Sequence, residues 1–191
     1  MRRINAVALV VTLLLLPIPF PLLAGEQTGI PPETVANYLH AVIEADRTFY
    51  TIHVVERMQN GGGAAAAENW RAQKNTLPLP AQFLMESSAL SAMTGTPVRY
   101  RLISLWPINP LNGPRSAAEK AGLESLLTHP EQVVTGTVTQ GNETYFQAIY
   151  ADRAVSQSCV GCHNTHPQSA KKDFKLNAAM GGLVIEIPMG R

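Results

Sequence analysis

Residues 145–167 read YFQAIYADRAVSQSCVGCHNTHP, and the order of features within them decides how the chain folds. A strand-like run ending near Tyr150 leads into Cys159-Val160-Gly161-Cys162-His163. A second strand-like run, Gly182 to Ile187, follows and is ended by Pro188. C-x-x-C-H spacing is the signature of covalent haem attachment: two thioethers pin the porphyrin edge, and the adjacent histidine supplies an axial nitrogen to iron. The pentapeptide contains both cysteines of the chain, so the reading is a single haem c. In a soluble class I cytochrome c this motif stands near the N-terminus of a mostly helical chain. Here it stands late, amid strands.

Working outward, Val133 to Val138 and Thr144 to Tyr150 are strand-like runs flanking Gly141-Asn142, a good hairpin turn. Val98 to Ser104 alternates like a half-buried strand, and the proline-rich stretch from Pro107 to Pro114 must be loop. Ala117 to Leu127 and Pro80 to Ala92 read as helices, the second with Phe83, Leu84, Leu90 and Met93 near its apolar face. Pro31-Pro32 opens a long helix that fades near Gln59-Asn60 and breaks at Gly61-Gly62-Gly63. Its apolar side is read as Val35, Tyr38, Leu39, Val42 and Phe49, with His53 projecting onto the same side. Ala64 to Trp70 is expected to add a short helical piece. Helices first and then an antiparallel sheet, with a haem-bearing insertion before the last strand, make the fold class α+β.

Two rival readings of the cysteines are weaker. A thioredoxin-like pair would open a helix within a βαβ unit in the N-terminal half. A zinc site of Cys159, Cys162, His163 and His166 would ask adjacent Cys162 and His163 to share one tetrahedral ion. Exported thiols also tend to oxidise.

Export is what the N-terminus suggests. Arg2 and Arg3 precede an apolar run from Ile4 to Leu16, and small residues lie before Glu26. The pattern reads residues 1–25 as a signal peptide, with cleavage near Ala24 or Gly25. The alternative is an uncleaved anchor that ties the protein to the membrane, although the uninterrupted run of about thirteen residues is short of the roughly 20 a span needs. Either way the expected location is the periplasm, where haem is ligated to bacterial c-type proteins. Residues 26–191 are long enough for one domain with a proper core. The whole chain of 191 residues carries a formal charge of +1. Its small cluster of Lys171, Lys172 and Lys175 reads as a solvated face, so nucleic acid is not an expected partner.

His163 is the expected proximal ligand. For the other face of iron the candidates are His53, on the apolar side of the first helix, and Met58 near its end. Met85, Met93 and Met180 read as core fillers, and His166 is too near His163 in the chain. Arg99 and Arg101 offer guanidinium forks suited to haem propionates. Trp106 is placed either to pack on the porphyrin or to fill the core.

These stretches resemble the DUF3365 family, a PAS-like haem c domain, over about Glu33 to Pro188. The resemblance is carried by ENWRAQKNTLPLPAQFL (68–84), RYRLISLWPINPLNGP (99–114), the 145–167 segment and KKDFKLNAAMGGLVIEIP (171–188). It implies an antiparallel sheet beside a long N-terminal helix, one covalent haem on Cys159 and Cys162, and His163 as proximal ligand. It also implies a distal ligand that varies and often comes from the N-terminal helix, with cysteine or methionine in different members. This chain has no spare cysteine. Met58 is favoured by the analogy and His53 by helical phase.

The expected function is a periplasmic monohaem c-type cytochrome that transfers single electrons, senses redox state, or both, with a redox or signalling partner protein. The alternative is a haem-based gas or redox sensor acting through a partner. No kinase, methyl-accepting or cyclase segment follows Arg191, which favours a separate partner or an electron carrier. An enzyme has the weakest support, because no acid–base pair convincingly flanks the haem.

Overall fold

The fold, obtained as a computed structural model, describes residues 29–190. The signal-peptide reading of residues 1–25 therefore lies outside the described residues. Among the described residues no helix is long and apolar enough to cross a membrane.

The long N-terminal helix is present and ends at the triglycine. Helix α1 (Pro32–Phe49) starts with proline in its first turn, where the missing N–H costs nothing. It continues through a π-helical segment, Tyr50–Glu56, into α2 (Arg57–Asn60). Tyr50 anchors the π segment: its hydroxyl donates to the Pro78 carbonyl (2.8 Å) and its ring stacks on Phe83 at 4.4 Å. Thr51 is buried there and its hydroxyl donates back to the Arg47 carbonyl (2.7 Å).

Two expectations about this region are corrected. Tyr38, Val42 and Phe49 do not face the core but are 65%, 60% and 62% exposed. The core-facing stripe is Val35, Ala36, Leu39 and Ile43. Ala64 to Trp70 is not helical either: β1 (Ala65–Ala66) pairs in parallel with β2 (Thr76–Leu77), and turns lie between. Helix α3 (Pro80–Met93) buries Leu84, but Leu90 and Met93 point to solvent.

The α+β expectation holds. Strands β3 (Arg99–Ile103), β4 (Val134–Gln140), β5 (Glu143–Arg153) and β6 (Ala179–Pro188) form an antiparallel sheet in the order β3-β6-β5-β4. Gly141, at φ +62°, takes the first place of the two-residue turn between β4 and β5, the position a type II′ turn reserves for glycine. Side chains alternate across the sheet with period two. One face presents Leu102, Ala148, Tyr150, Leu183, Ile185 and Ile187 to α1 and α3. The other presents Ile103, Ile149 and Val184 to Leu123 and Leu126 of α4 (Ala117–Thr128).

Gly181 sits where β6 meets β3. A Cβ there would lie 2.3 Å from the Ile103 carbonyl oxygen, a backbone atom that cannot step aside without breaking the ladder. Gly181→Ala is expected to destabilise the fold by about 2 kcal/mol, the usual cost of overpacking. Urea unfolding followed by circular dichroism measures it, and a midpoint equal to wild type would refute the clash.

Candidate functional site

The C-x-x-C-H motif lies on a short helix, α5 (Gln157–Thr165), in the connection between the two central strands β5 and β6. Ser156 is its N-cap, its hydroxyl oxygen accepting the Cys159 N–H. Cys159 and Cys162 are one turn apart, neither is in a disulfide, and Cys162 is exposed. Gly161 between them has no neighbouring atom within 4 Å of a would-be Cβ, so this side of α5 is open.

The inner side of α5 rests on a small apolar cluster of Ala154, Phe174 and Met180, against which Trp106, Cys159 and Val160 pack. The Trp106 and His163 rings each meet Phe174 edge-on, both at 5.9 Å. Lys171 Nζ lies 5.1 Å from the Trp106 ring. Phe174 is held in turn by Asn164, whose amide donates to the Phe174 carbonyl and whose carbonyl accepts the Phe174 N–H, both at 3.0 Å. Trp106 therefore reaches the motif as a packing residue.

Burial pushes the His163 pKa below its ordinary value, with Asp152 opposing the shift and Arg47 and His166 adding to it. The ring is thereby held in the neutral form that ligates a metal. Its Nδ1 is buried and has no hydrogen-bond partner. Burial raises the Cys162 pKa, reinforced by Glu68 and Cys159.

The end of the long helix touches the helix that bears the motif, one residue before Cys159. Glu56 Oε1 accepts from the Ser158 hydroxyl (3.0 Å) and from the Ser158 N–H (3.4 Å). On the far side of the motif, His166 Nε2 is 3.4 Å from Glu68 Oε1. The segment bearing both distal candidates is thus beside α5, yet both side chains face outward. His53 is exposed and its ring lies 4.9 Å from Phe49. Met58 is 38% exposed, its methyl folded over Gly63.

Arg99 and Arg101, the residues read as propionate partners, both have partners within the protein. Both project from the sheet face that carries α4, because strand alternation puts residues 99, 101 and 103 on one side. Arg101 forms a buried ion pair with Glu119. Glu119 also accepts from Gln147 (3.2 Å) and the Arg115 N–H (2.7 Å). Gln147 and Gln140 both donate to Glu186, and Arg99 donates to Gln140 at 2.8 Å. The opposite face carries a pair that sequence reasoning missed: Arg47 of α1 clamps Asp152 at the end of β5 with both terminal nitrogens.

These residues fit a c-type haem. Two unlinked thiols and a neutral imidazole share one short helix with an open side, and the imidazole turns Nδ1 into the protein. Among the described residues no group of three or more His, Cys, Asp or Glu is gathered to hold a metal ion.

A family model described as Tll0287-like: Tll0287 matches residues 27–188. A solved structure described as the cyanobacterial heme-protein Tll0287 superposes with a TM-score of 0.55 at 17% identity. The match covers 85% of this chain and 99% of that one, and at such identity it speaks for the fold alone. No curated protein matches the chain.

Proposed function

The chain belongs to the Tll0287-like family, and from that membership we propose that it is a periplasmic monohaem c-type protein that exchanges single electrons. The carrying observation is α5, which presents Cys159, Cys162 and His163 together with both thiols free. Haem, when bound, supplies one-electron chemistry at iron, and the protein sets its potential and access. Cys159 and Cys162 would hold the porphyrin through thioethers, and His163 would ligate iron. Asn164, through Phe174, braces the His163 ring, and Trp106 and Met180 back the cluster beneath Cys159. The signal-like N-terminus supports the periplasmic location.

A second reading, a redox or gas sensor acting through a partner protein, is favoured by the Glu56–Ser158 contact. It joins the haem-bearing helix to a π-helical segment, a helix irregularity often found at functional sites. A shift of α5 would be felt along the long helix.

Optical spectra of protein matured with haem, in both oxidation states and with carbon monoxide, test these readings on wild type, H53A and M58A. The expectation is a six-coordinate low-spin protein that loses this signature in one of the two variants. Unchanged spectra in both would remove His53 and Met58 as distal ligands. Carbon monoxide binding at full occupancy favours the sensor, and its failure favours electron transfer.

A further inference from the structure

We propose that the outward side of the long helix docks a second copy of this chain, the two helices packing antiparallel about a two-fold axis at Ala45. The inference is independent of the haem reading above.

Helix α1 is apolar on two sides. Val35, Ala36, Leu39 and Ile43 face the sheet. Tyr38, Val42 and Phe49 stand on the other side, each at least 60% exposed, with Ala41 and Ala45 exposed among them. Tyr38, Val42, Ala45 and Phe49 follow one another at steps of four, three and four residues, the seam of a helix that packs along another helix. His53 carries the seam into the π segment, its ring 4.9 Å from that of Phe49. One apolar stripe serves the core of its own domain. A second one implies a second partner.

The exposed area is of the right size. An aromatic side chain carries about 150–250 Å² of surface, so Tyr38, Val42 and Phe49 together offer on the order of 350 Å² per chain. A standard interface buries about 800 Å² per partner, roughly 60% of it apolar. The stripe supplies most of that apolar part in one place, and its alanines let two helix backbones approach closely.

One orientation makes the stripe complementary to itself. Antiparallel packing about Ala45 sets Val42 opposite Phe49 of the partner subunit and Tyr38 opposite His53 of the partner subunit. It also brings the exposed Glu33, in the first turn of α1, towards Arg57 of the partner subunit at the far end. Neither Glu33 nor Arg57 has an ion-pair partner among the described residues. Parallel packing would instead set Glu33 against Glu33 and Asp46 against Asp46. A two-fold contact of this kind closes at two copies. The exposed charge nearest the middle of the stripe, Asp46, is acidic, the wrong sign for an anionic membrane surface.

The test is the mass of the intact protein by sedimentation equilibrium. Wild type is expected to pass from monomer to dimer across the micromolar range. Ala45→Glu, which puts two carboxylates at the axis, is expected to weaken the dimer about tenfold or more. Position 45 is exposed, so the circular dichroism of this variant should match wild type. A short bis-maleimide reads the orientation. Ala45→Cys should be cross-linked to a dimer above the wild-type background. Tyr38→Cys should not, since antiparallel packing holds the two copies of residue 38 roughly 20 Å apart along the helices. A wild type that stays monomeric, an Ala45→Glu dimer as strong as that of wild type, or any other cross-linking pattern would each overturn the assignment. So would a monomer that binds phospholipid vesicles and releases them in Ala45→Glu.

Discussion

On the proposed function, Cys159→Ser combined with Cys162→Ser is expected to abolish covalent haem attachment and to leave the sheet folded. No thioether can form without a thiol, so all haem in the double variant should be extractable by acidified acetone, against none in wild type. The haem stain on a denaturing gel reports the same loss. The scaffold has little reason to fail. Cys162 is exposed, and Cys159 is only partly packed against the Ala154, Phe174 and Met180 cluster. The two larger clusters on either sheet face contain neither residue. Each single variant should keep one thioether and hence non-extractable haem with a shifted α band. Covalent haem surviving in the double variant would show that C-x-x-C-H is not the attachment site.

Arg101→Met is expected to destabilise the fold by about 3–5 kcal/mol, because it leaves the Glu119 carboxylate buried without its cation. The Arg101 and Glu119 side chains are 11% and 5% exposed, so water cannot replace the lost partner. Burial already presses the Arg101 pKa downward, with Glu119 the leading opposing influence. Gln147 and the Arg115 N–H hold that carboxylate in place and cannot neutralise it. Replacing both partners, Arg101→Met with Glu119→Leu, should recover most of the loss, since apolar side chains of similar volume need no counter-charge. Urea unfolding of Arg101→Met, Glu119→Leu and the double variant closes the cycle. A single variant within 1 kcal/mol of wild type would place the pair in solvent. The haem potential should not follow this mutation, because the pair lies on the α4 face of the sheet.

How much of this was legible in the sequence depends on whether the signal was local. The strands announced themselves by alternation from Val98 to Ser104 and by Gly141-Asn142 at the hairpin. The long helix was marked at both ends, by Pro31-Pro32 and by the triglycine. Its inward face was not legible. Past Ile43 that face carries Arg47 and Thr51, polar residues whose burial depends on Asp152 and on a backbone carbonyl. The apolar pattern therefore pointed to Tyr38, Val42 and Phe49 on the outside. The same blindness hid the partners of Arg99 and Arg101, since Gln140 and Glu119 are remote in sequence. Helix α5 was hidden for another reason: nine residues with little apolar periodicity show themselves mainly through the Ser156 cap. The motif within it needed no fold to be read.

Strand β6 has a consequence for how the molecule assembles. It lies between β3 and β5, buried along nearly all of its length, and it follows the other described strands in sequence. The β4–β5 hairpin can close within microseconds through its two-residue turn. β6 must instead wait for the whole 154–178 connection, α5 included, to loop back. Until it docks, β3 and β5 both present open apolar edges, the kind of surface that recruits strands from other chains. Anything that delays the settling of α5 therefore lengthens the window in which nascent molecules aggregate. Yield of soluble protein should track haem insertion for that kinetic reason, even where the finished sheet is stable without it.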